Sequence, residues 1–226
     1  MEFDFDTRPS DSPLVESVWQ TQTERGGSFI STAASLWEMV VTKQGDKITL
    51  SIRGPETIAS PAPIPEGYVE YVGIIFKHGV FMPHLPKQGL VDNALHLPES
   101  VKHSFQLQNG SWQFPDFENA DAFVNKLVRE NLLMQDQVVE DVLRGQTKEL
   151  SLRSLQRRFL HVTGLTYKPI QQIERARQAM TLLQSGVPIP DTAYQVGYYD
   201  QPHLTRSLKL FAGQTPAEIF KSAQTE

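Results

Sequence analysis

The chain has 226 residues, no cysteine and a formal net charge of −5. Its hydrophobic content of 39% is enough for a packed core, and the lack of cysteine excludes disulfides, thiolate metal sites and thiol redox chemistry. No run of about eighteen apolar residues occurs, and the acidic first residues lack the apolar stretch of a signal peptide. We therefore expect a cytoplasmic protein that does not cross a membrane.

The first part of the chain shows mainly the patterns of β-strands. Residues 1–13 are polar and acidic and contain two prolines, which predicts a loose arm. Two β-rich runs flank a Gln-Gly-Asp turn at residues 44–46 and predict a hairpin, and the second run alternates apolar and polar residues over 48–52. The proline-rich stretch 60–67 predicts a loop, and one or two further strands follow it.

The pattern changes from strand to helix near residue 116. Residues 117–133 carry apolar side chains at helical spacing, and helical patterns continue to the end of the chain. This change predicts an α+β protein of two domains. A β-rich domain is expected at residues 1–116, and an all-α domain at residues 117–226.

The densest helical pattern, at residues 193–211, predicts two helices joined at a glycine. Gly197 can take the left-handed conformation that ends the first helix. Asp200 is a good N-cap for the second helix, and Pro202 lies in its first turn, where a missing N–H costs nothing. The apolar stripe of this second helix consists of Leu204, Leu208 and Phe211. A scaffold helix, a glycine turn and a helix with a polar outer face are typical of a helix-turn-helix.

A second copy of this pattern precedes the first. Residues 137–144 predict a short apolar helix closed by Gly145, and Ser151 caps a further helix that ends at Gly164. Between the copies, residues 169–183 predict one longer helix, about 20 Å long at about 1.5 Å per residue. A linker of that size could hold two reading helices about 34 Å apart, so that one chain touches two successive major grooves of DNA.

The charge is divided unevenly along the chain. Residues 1–150 carry 12 basic and 21 acidic side chains, a net charge of −9, whereas residues 151–226 carry 9 basic and 5 acidic ones, a net charge of +4. This asymmetry fits an acidic sensing or assembly domain joined to a basic DNA-binding domain.

These motifs resemble a known family. The stretches SLRSLQRRF, QIERARQAMTLL and VGYYDQPHLTRSLKLFAGQTPAEI resemble the DNA-binding domain of AraC-type transcription regulators, over roughly residues 135–220. The resemblance implies a bacterial regulator with two helix-turn-helix units that binds double-stranded DNA. It also implies a cupin-like barrel as one form of the β-rich domain, with binding of a small-molecule effector or formation of a homodimer as its role. Transcription would then change through contact with RNA polymerase or through its exclusion.

The resemblance also indicates which side chains contact DNA. By position, the family's base-reading residues fall on the outer faces of the two reading helices, and bidentate arginine to guanine is the commonest specific contact. Lys209 lies one turn further on and is expected to contact phosphate or to be solvated. Thr192 stands where the family usually has a large aliphatic residue. The candidate DNA-binding residues are Arg153, Gln156, Arg157, Gln201, His203, Arg206 and Lys209.

Three other arginines are not expected to read bases. Arg158 lies to the side of its helix, which predicts either a phosphate contact or an intramolecular salt bridge. Arg175 and Arg177 belong to the linker helix, where the resemblance implies packing between the two units and bonding to acidic groups such as Glu174.

No residue pattern indicates a metal site or a catalytic site. His78, His84, His96 and His103 do not have the spacing of known metal motifs, and no Ser-His-Asp set or glycine-rich phosphate loop is apparent. We expect no metal, no cofactor and no enzyme activity. Two alternatives stay open: a small-molecule-binding or enzymatic N-terminal domain with a vestigial helical part, and an architectural DNA-binding protein without an effector.

Overall fold

The structure is a computed structural model of the chain and describes residues 4–85, 87–97, 99–100, 104–146 and 150–224. The strands are β1 (Asp6–Arg8), β2 (Val15–Thr23), β3 (Gly27–Ser31), β4 (Glu38–Gln44), β5 (Lys47–Arg53), β6 (Ser60–Ile64), β7 (Val69–Phe76), β8 (Val80–Phe81), β9 (Ala94–Leu97), β10 (Glu99–Ser100), β11 (Ser104–Leu107), β12 (Gly110–Gln113) and β13 (Met134–Gln135). The helices are α1 (Lys87–Leu90), α2 (Ala120–Arg129), α3 (Gln137–Leu143), α4 (Leu152–Thr163), α5 (Tyr167–Gln184), α6 (Ile189–Gln195), α7 (Gln201–Ala212) and α8 (Pro216–Ser222). The predicted α+β class, with strands first and helices after them, is confirmed.

The chain packs into two compact units. The first unit comprises Met1–Gly27, Leu36–Pro55 and Pro63–Thr166, and the second comprises Ser28–Ser35, Glu56–Ala62 and Tyr167–Glu226. Each unit therefore contains both β-rich and helical segments of the chain. The boundary at residue 116 stays a prediction about which parts fold independently.

The first unit is built on a six-stranded antiparallel sheet in the order β1-β2-β7-β4-β5-β9. Two smaller sheets accompany it, β10-β11-β12 and β13-β8. The predicted hairpin is confirmed, because Gln44 of β4 pairs with Lys47 of β5 and Gly45 between them takes a left-handed φ of 59°. Among the described residues the strands do not close into a barrel, and the cupin-like form stays a prediction.

One row of side chains shows how the sheet makes its core. Val18, Ile74, Met39 and Ile52 are successive partners across four neighbouring strands, and none is more than 1% exposed. Cross-strand neighbours on one face of a sheet pack directly against each other. Helix α2 contributes buried residues, among them Leu127, to the same apolar cluster. The described helices include none that is long and apolar enough to span a membrane.

The prediction of a loose N-terminal arm is wrong for residues 6–8. They form β1, which pairs with β2, and the Arg8 guanidinium donates to the Asp121 carboxylate at 2.8 Å and to the Phe117 carbonyl at 2.6 Å. The sequence pattern does not show this anchor because its partners lie more than 100 residues away.

The prediction of a proline-rich loop is also wrong for residues 60–64. They form β6, which pairs with β3 in a two-stranded sheet. Both strands are edge strands, where a proline can direct its missing N–H away from the partner. We refer to residues 28–35 and 56–62, which include most of this pair, as the ribbon.

The second unit contains the ribbon and helices α5 to α8. Its apolar core is made by the inner faces of these helices, and the largest fully buried side chains are Ile170, Ile173, Leu183 and Leu204. Helix α8 begins with a capping box, in which Thr215 and Glu218 bond each other's backbone N–H groups.

The Asp121 anchor gives the first testable prediction. Partial burial acts to raise the pKa of Asp121, but hydrogen bonds from Ser10 and Arg8 and the Arg8 charge outweigh it, so the pKa lies below its ordinary value. A carboxylate with a depressed pKa contributes stability at neutral pH that is lost as the pH falls through that pKa. Asp121→Asn should therefore lower the free energy of unfolding at pH 7, and its difference from wild type should shrink below about pH 4.

Urea unfolding at a series of pH values, followed by tryptophan fluorescence, measures this effect. Asp46→Asn, at an exposed site in the β4–β5 turn, is the matched control. A constant difference between Asp121→Asn and wild type at all pH values would contradict the assignment.

Candidate nucleic-acid interface

The first helix-turn-helix consists of α3 and α4 and lies in the first unit. The Asp136 carboxylate accepts the backbone N–H groups of Val138 and Val139 at 3.0 and 3.3 Å and caps α3. The Ser151 hydroxyl accepts the Ser154 N–H at 3.2 Å and caps α4, as predicted. Side-chain caps of this kind satisfy N–H groups that a helix start leaves unpaired.

Helix α4 buries one face and exposes the other. Phe159 and Val162 are 0% and 2% exposed, whereas Arg153, Gln156 and Arg157 are all exposed. Because these three are spaced i, i+3 and i+4, they share one face of the helix. Within the described part of the chain, neither of the two arginines forms a salt bridge. The face can therefore offer two guanidinium groups and an amide to a ligand outside the unit.

Arg158 has a different role from its neighbour Arg157. Its guanidinium lies 2.6 Å from the Asp136 carboxylate, which is only 13% exposed. The salt bridge joins α4 to the N-cap of α3 and so braces the two helices. Of the two predicted roles for Arg158, the structure contains the intramolecular salt bridge.

The C-terminal end of α4 packs against Phe81 and Lys87 of the β-rich part, a contact that the sequence pattern did not predict. Gly164 ends the helix, as predicted, in a left-handed conformation with φ of 77°. A Cβ atom on this glycine would lie 2.8 Å from the carbonyl oxygen of Lys87. The His161 ring contacts the Phe81 ring edge-on, with centroids 5.6 Å apart. Helix α4 is thus held at its C-terminal end, while the face with Arg153, Gln156 and Arg157 stays exposed.

The second helix-turn-helix consists of α6 and α7 and lies in the second unit. Gly197, with φ of 73°, turns the chain after α6, and the Asp200 carboxylate caps α7 by accepting the His203 N–H at 2.7 Å. Tyr198 between them is buried, and its hydroxyl shares a 2.7 Å hydrogen bond with Ser207. Burial raises the pKa of Tyr198, although the Ser207 hydrogen bond and the Arg175 charge oppose the rise.

Thr192, which stands where the family that the sequence resembles usually has a large aliphatic residue, is buried in this unit. It is 0% exposed, and its hydroxyl donates to the Val187 carbonyl at 3.3 Å. Its polar group is thereby satisfied, so the substitution leaves no unpaired group in the core.

Helix α7 also presents an exposed polar face. Gln201, Arg206 and Lys209 are exposed, opposite the buried Leu204 and Leu208. His203 differs from these three, because it is half-buried and its ring packs edge-on against Tyr198 with centroids 5.1 Å apart. Contact of these residues with DNA stays a prediction for all four.

Three large side chains in this part of the chain are at least 80% exposed, which the sequence pattern did not predict. They are Leu152 at the start of α4 (80%), Tyr194 in α6 (87%) and Tyr199 just before α7 (93%). A tyrosine hydroxyl can donate to a phosphate, and an apolar side chain can contact a thymine methyl group. The Tyr-Tyr pair in GYYD was visible in the sequence, but the pattern alone does not show that only its second member is exposed.

Of the linker-helix arginines, Arg177 bonds the acidic Glu174, as predicted, whereas packing between the two helix-turn-helix units stays a prediction. Arg177 bonds Glu174 at 3.0 Å, and the Arg175 guanidinium lies 5.7 Å from the centre of the Tyr198 ring. Among the described residues there is no group of three or more histidine, aspartate and glutamate side chains that could hold a metal ion. His103 lies outside the described residues.

Comparison with known proteins gives one family match. The model of a helix-turn-helix domain family matches residues 148–222, which cover α4 to α8. No curated protein matches the chain.

Several solved structures of ToxT from Vibrio cholerae are similar to this chain at low identity. One, in the P21 crystal form, is 9% identical with a TM-score of 0.46 and covers 96% of this chain and 98% of that chain. Another, from V. cholerae O395 and bound to (E)-4-(8-methylnaphthalen-1-yl)but-3-enoic acid, is 10% identical with a TM-score of 0.47 and covers 97% and 99%. A third, of unsaturated fatty acid bound ToxT from strain SCE256, is 9% identical with a TM-score of 0.44 and covers 94% and 97%.

The contrast between Arg157 and Arg158 gives the second testable prediction. Arg158→Ala removes the salt bridge that braces α3 against α4, so it should lower the melting temperature of the protein. The loss of unfolding free energy should be no more than about 1 kcal/mol, because the ion pair is partly exposed. Arg157→Ala is the matched control and should leave the melting temperature unchanged. Equal melting temperatures for the two variants would contradict the role of the brace.

Proposed function

We propose, from the premise that residues 148–222 are an AraC-type helix-turn-helix domain, that the protein is a sequence-specific DNA-binding transcription regulator of a bacterium. The observation that carries the proposal is the family match over α4 to α8, a range that includes two helices with exposed polar faces. Binding to DNA would place its site of action in the cytoplasm.

Positioning on DNA would come from contacts to phosphate. Lys209 and the exposed hydroxyl groups of Tyr194 and Tyr199 can bond phosphate oxygens, and so can the backbone N–H groups at the start of α4 and α7. Such contacts fix the register of the protein but carry no sequence information. They also make the affinity depend strongly on salt, because each contact releases counterions.

Sequence reading would come from the exposed long side chains of the two helices. Arg153, Arg157 and Arg206 can bond guanine through two N–H groups, and Gln156 and Gln201 can bond adenine. The partly buried ring of His203 makes it the weakest of the proposed base readers. If both helices read DNA at the same time, the protein would recognise two segments about one helical turn apart.

The β-rich part would supply regulation. The first unit contains an open groove of about 420 Å³ along β2 and β7, next to β1, and its lining is mostly polar. A sensor for a small-molecule effector is proposed from the family resemblance, and this groove is one place where a polar effector could bind. Assembly into a homodimer, and contact with RNA polymerase or its exclusion from the promoter, belong to the same proposal. We propose a binding role, without enzyme activity, for the whole chain.

The third prediction concerns Arg157. In a titration with a duplex that the wild-type protein selects from random-sequence DNA, Arg157→Ala should bind about tenfold or more weakly, since a bidentate contact contributes about 1–3 kcal/mol. Repeating the selection with the variant should show relaxed preference at about one base pair. Arg129→Ala, at the exposed end of α2, removes the same charge away from the reading helices and is the control.

An Arg157→Ala variant that selects the wild-type sequence with wild-type affinity would contradict the assignment of Arg157 as a base-reading residue. If the wild-type protein selects no sequence at all, and its weak binding is the same for every duplex, the proposal of a specific regulator fails.

The fourth prediction concerns the sensor. All three tryptophans, Trp19, Trp37 and Trp112, lie in the first unit, so their fluorescence follows the unfolding of that unit alone. A library of small metabolites should contain a compound that raises this melting temperature and changes the affinity for the selected duplex, because a ligand that binds only the folded state stabilises it. A purely architectural protein would show neither effect. Turnover of a library compound would instead favour the enzymatic alternative.

A further inference from the structure

The ribbon comes from the first quarter of the chain but packs with the helices of the second unit. Strands β3 and β6 pair with each other, and beyond them Ala34 and Glu56 exchange two backbone hydrogen bonds of 2.9 and 2.8 Å. The Ser31 hydroxyl also donates to the Glu56 carboxylate at 2.7 Å. The ribbon is therefore a bonded element and not two separate loops.

The ribbon satisfies carbonyl groups at the end of the second reading helix. The last carbonyls of an α-helix have no partner within the helix. The Ala33 N–H donates to the Phe211 carbonyl at 2.7 Å, and the Ala59 N–H donates to the Leu210 carbonyl at 2.9 Å. Each arm of the ribbon thus caps one carbonyl in the last turn of α7.

The ribbon also packs on the glycine that follows α7. Gly213 has a left-handed φ of 69°, and a Cβ atom built on it would lie 2.8 Å from Cγ2 of Ile30 and 3.5 Å from Cβ of Ala59. The space above this glycine is filled by both arms of the ribbon. In contrast, a Cβ atom on Gly197 would meet nothing within 4 Å.

A third contact joins the ribbon to the linker helix. The Ser35 hydroxyl, on a residue only 3% exposed, donates to the Glu174 carboxylate of α5. Glu174 also bonds Arg177 one turn further on. The ribbon therefore contacts both α5 and α7 of the second unit.

These contacts leave the reading end of α7 open. Gln201 begins the helix and Phe211 lies ten residues later, which is about 15 Å along the axis at about 1.5 Å per residue. Gln201 and Arg206 are exposed while the ribbon is bound. The bound ribbon is therefore compatible with DNA reading and does not cover the residues proposed for it.

We propose that the ribbon is a positioning strap for the second reading helix. By capping the last turn of α7 and contacting α5, it fixes the orientation in which Gln201 and Arg206 meet DNA. Its arms continue along the chain into β2, β4, β5 and β7 of the six-stranded sheet. A structural change in that sheet is therefore transmitted to α7 through the backbone. The inference rests on the proposed function only for the role of α7 in reading DNA.

The first part of the experiment releases the ribbon from α7. It uses Ala33→Pro with Ala59→Pro, because proline cannot donate the two hydrogen bonds. Ala33→Gly with Ala59→Gly keeps both donors and is the matched control. The proline variant should show faster amide exchange in the last turn of α7 and about tenfold weaker binding to the selected duplex, with footprint protection lost only at the segment read by α7. Tryptophan fluorescence checks that the first unit stays folded.

The second part of the experiment locks the ribbon to the end of α7 with a disulfide, and it keeps the proposal testable if the proline variant fails to fold. The chain has no cysteine, and the 3.5 Å between a Cβ at residue 213 and Cβ of Ala59 lies within the range of a disulfide, about 3.5–4.5 Å. In Ala59→Cys with Gly213→Cys, oxidation should preserve or increase affinity for the duplex relative to the reduced form of the same protein. The single variant Gly213→Cys has the same left-handed strain and the same 2.8 Å approach to Ile30 without a disulfide, and it controls for both.

Two results would contradict the proposal that the ribbon positions α7. One is a folded proline variant with unchanged exchange in α7 and unchanged footprints. The other is an oxidised protein that loses affinity, which would mean that the bound ribbon blocks DNA. If the wild-type protein selects no duplex, the proposed function fails, but the exchange measurement still decides whether the ribbon holds α7.

Discussion

Helices α4 and α7, which are proposed to read DNA, depend on how the polar groups at their two ends are satisfied. A helix leaves N–H groups unpaired at its start and carbonyl groups unpaired at its end. Ser151 and Asp200 supply side-chain caps at the starts of α4 and α7. Gly164 and Gly213 end the same helices in left-handed conformations, and at each of them a Cβ atom would come within 2.8 Å of an atom from the β-rich part of the chain. The exposed starts can therefore approach nucleic acid, while the ends are held by the rest of the protein.

The same constraint separates residues of equal charge into different roles. Arg157 and Arg158 are neighbours in the chain, but a rotation of about 100° between successive helical residues directs them to different sides of α4. Arg157 is exposed on the reading face, whereas Arg158 bonds the carboxylate that caps α3. Because Arg158 is paired with Asp136, which lies outside residues 151–226, the net charge of +4 of that part overstates by one the charge that is available to an anionic ligand.

Local features of this fold could be predicted from the sequence because they depend on residues only a few positions apart. The caps at Ser151 and Asp200, the glycine turn at Gly197 and the hairpin at residues 44–46 are features of this kind. The exposure of the candidate side chains on α4 followed from helical periodicity in the same way. For His203, periodicity did not reveal the contact with the Tyr198 ring that half-buries it.

The features that could not be predicted depend on distant partners. Arg8 is anchored by Asp121, and any of the 26 acidic side chains was an equally good partner on sequence grounds. The ribbon is harder still to foresee, because Ala33 and Ala59 act through backbone N–H groups, which every residue except proline has. Proline-rich composition around β6 argued for a loop, and only pairing with β3 makes it a strand.

The two hydrogen bonds from the ribbon to the end of α7 are weak enough for an effector to oppose them. A net contribution of about 0.5–1.5 kcal/mol per hydrogen bond puts the two bonds to α7 at about 1–3 kcal/mol. This is also the usual range of coupling energies between sites in allosteric proteins, about 1–3 kcal/mol. A contact of this strength holds the last turn of α7 most of the time, yet an effector with a comparable preference for one state of the sheet could release it. Much stronger contacts would make the second reading helix insensitive to the β-rich part, and much weaker ones would leave its orientation undetermined.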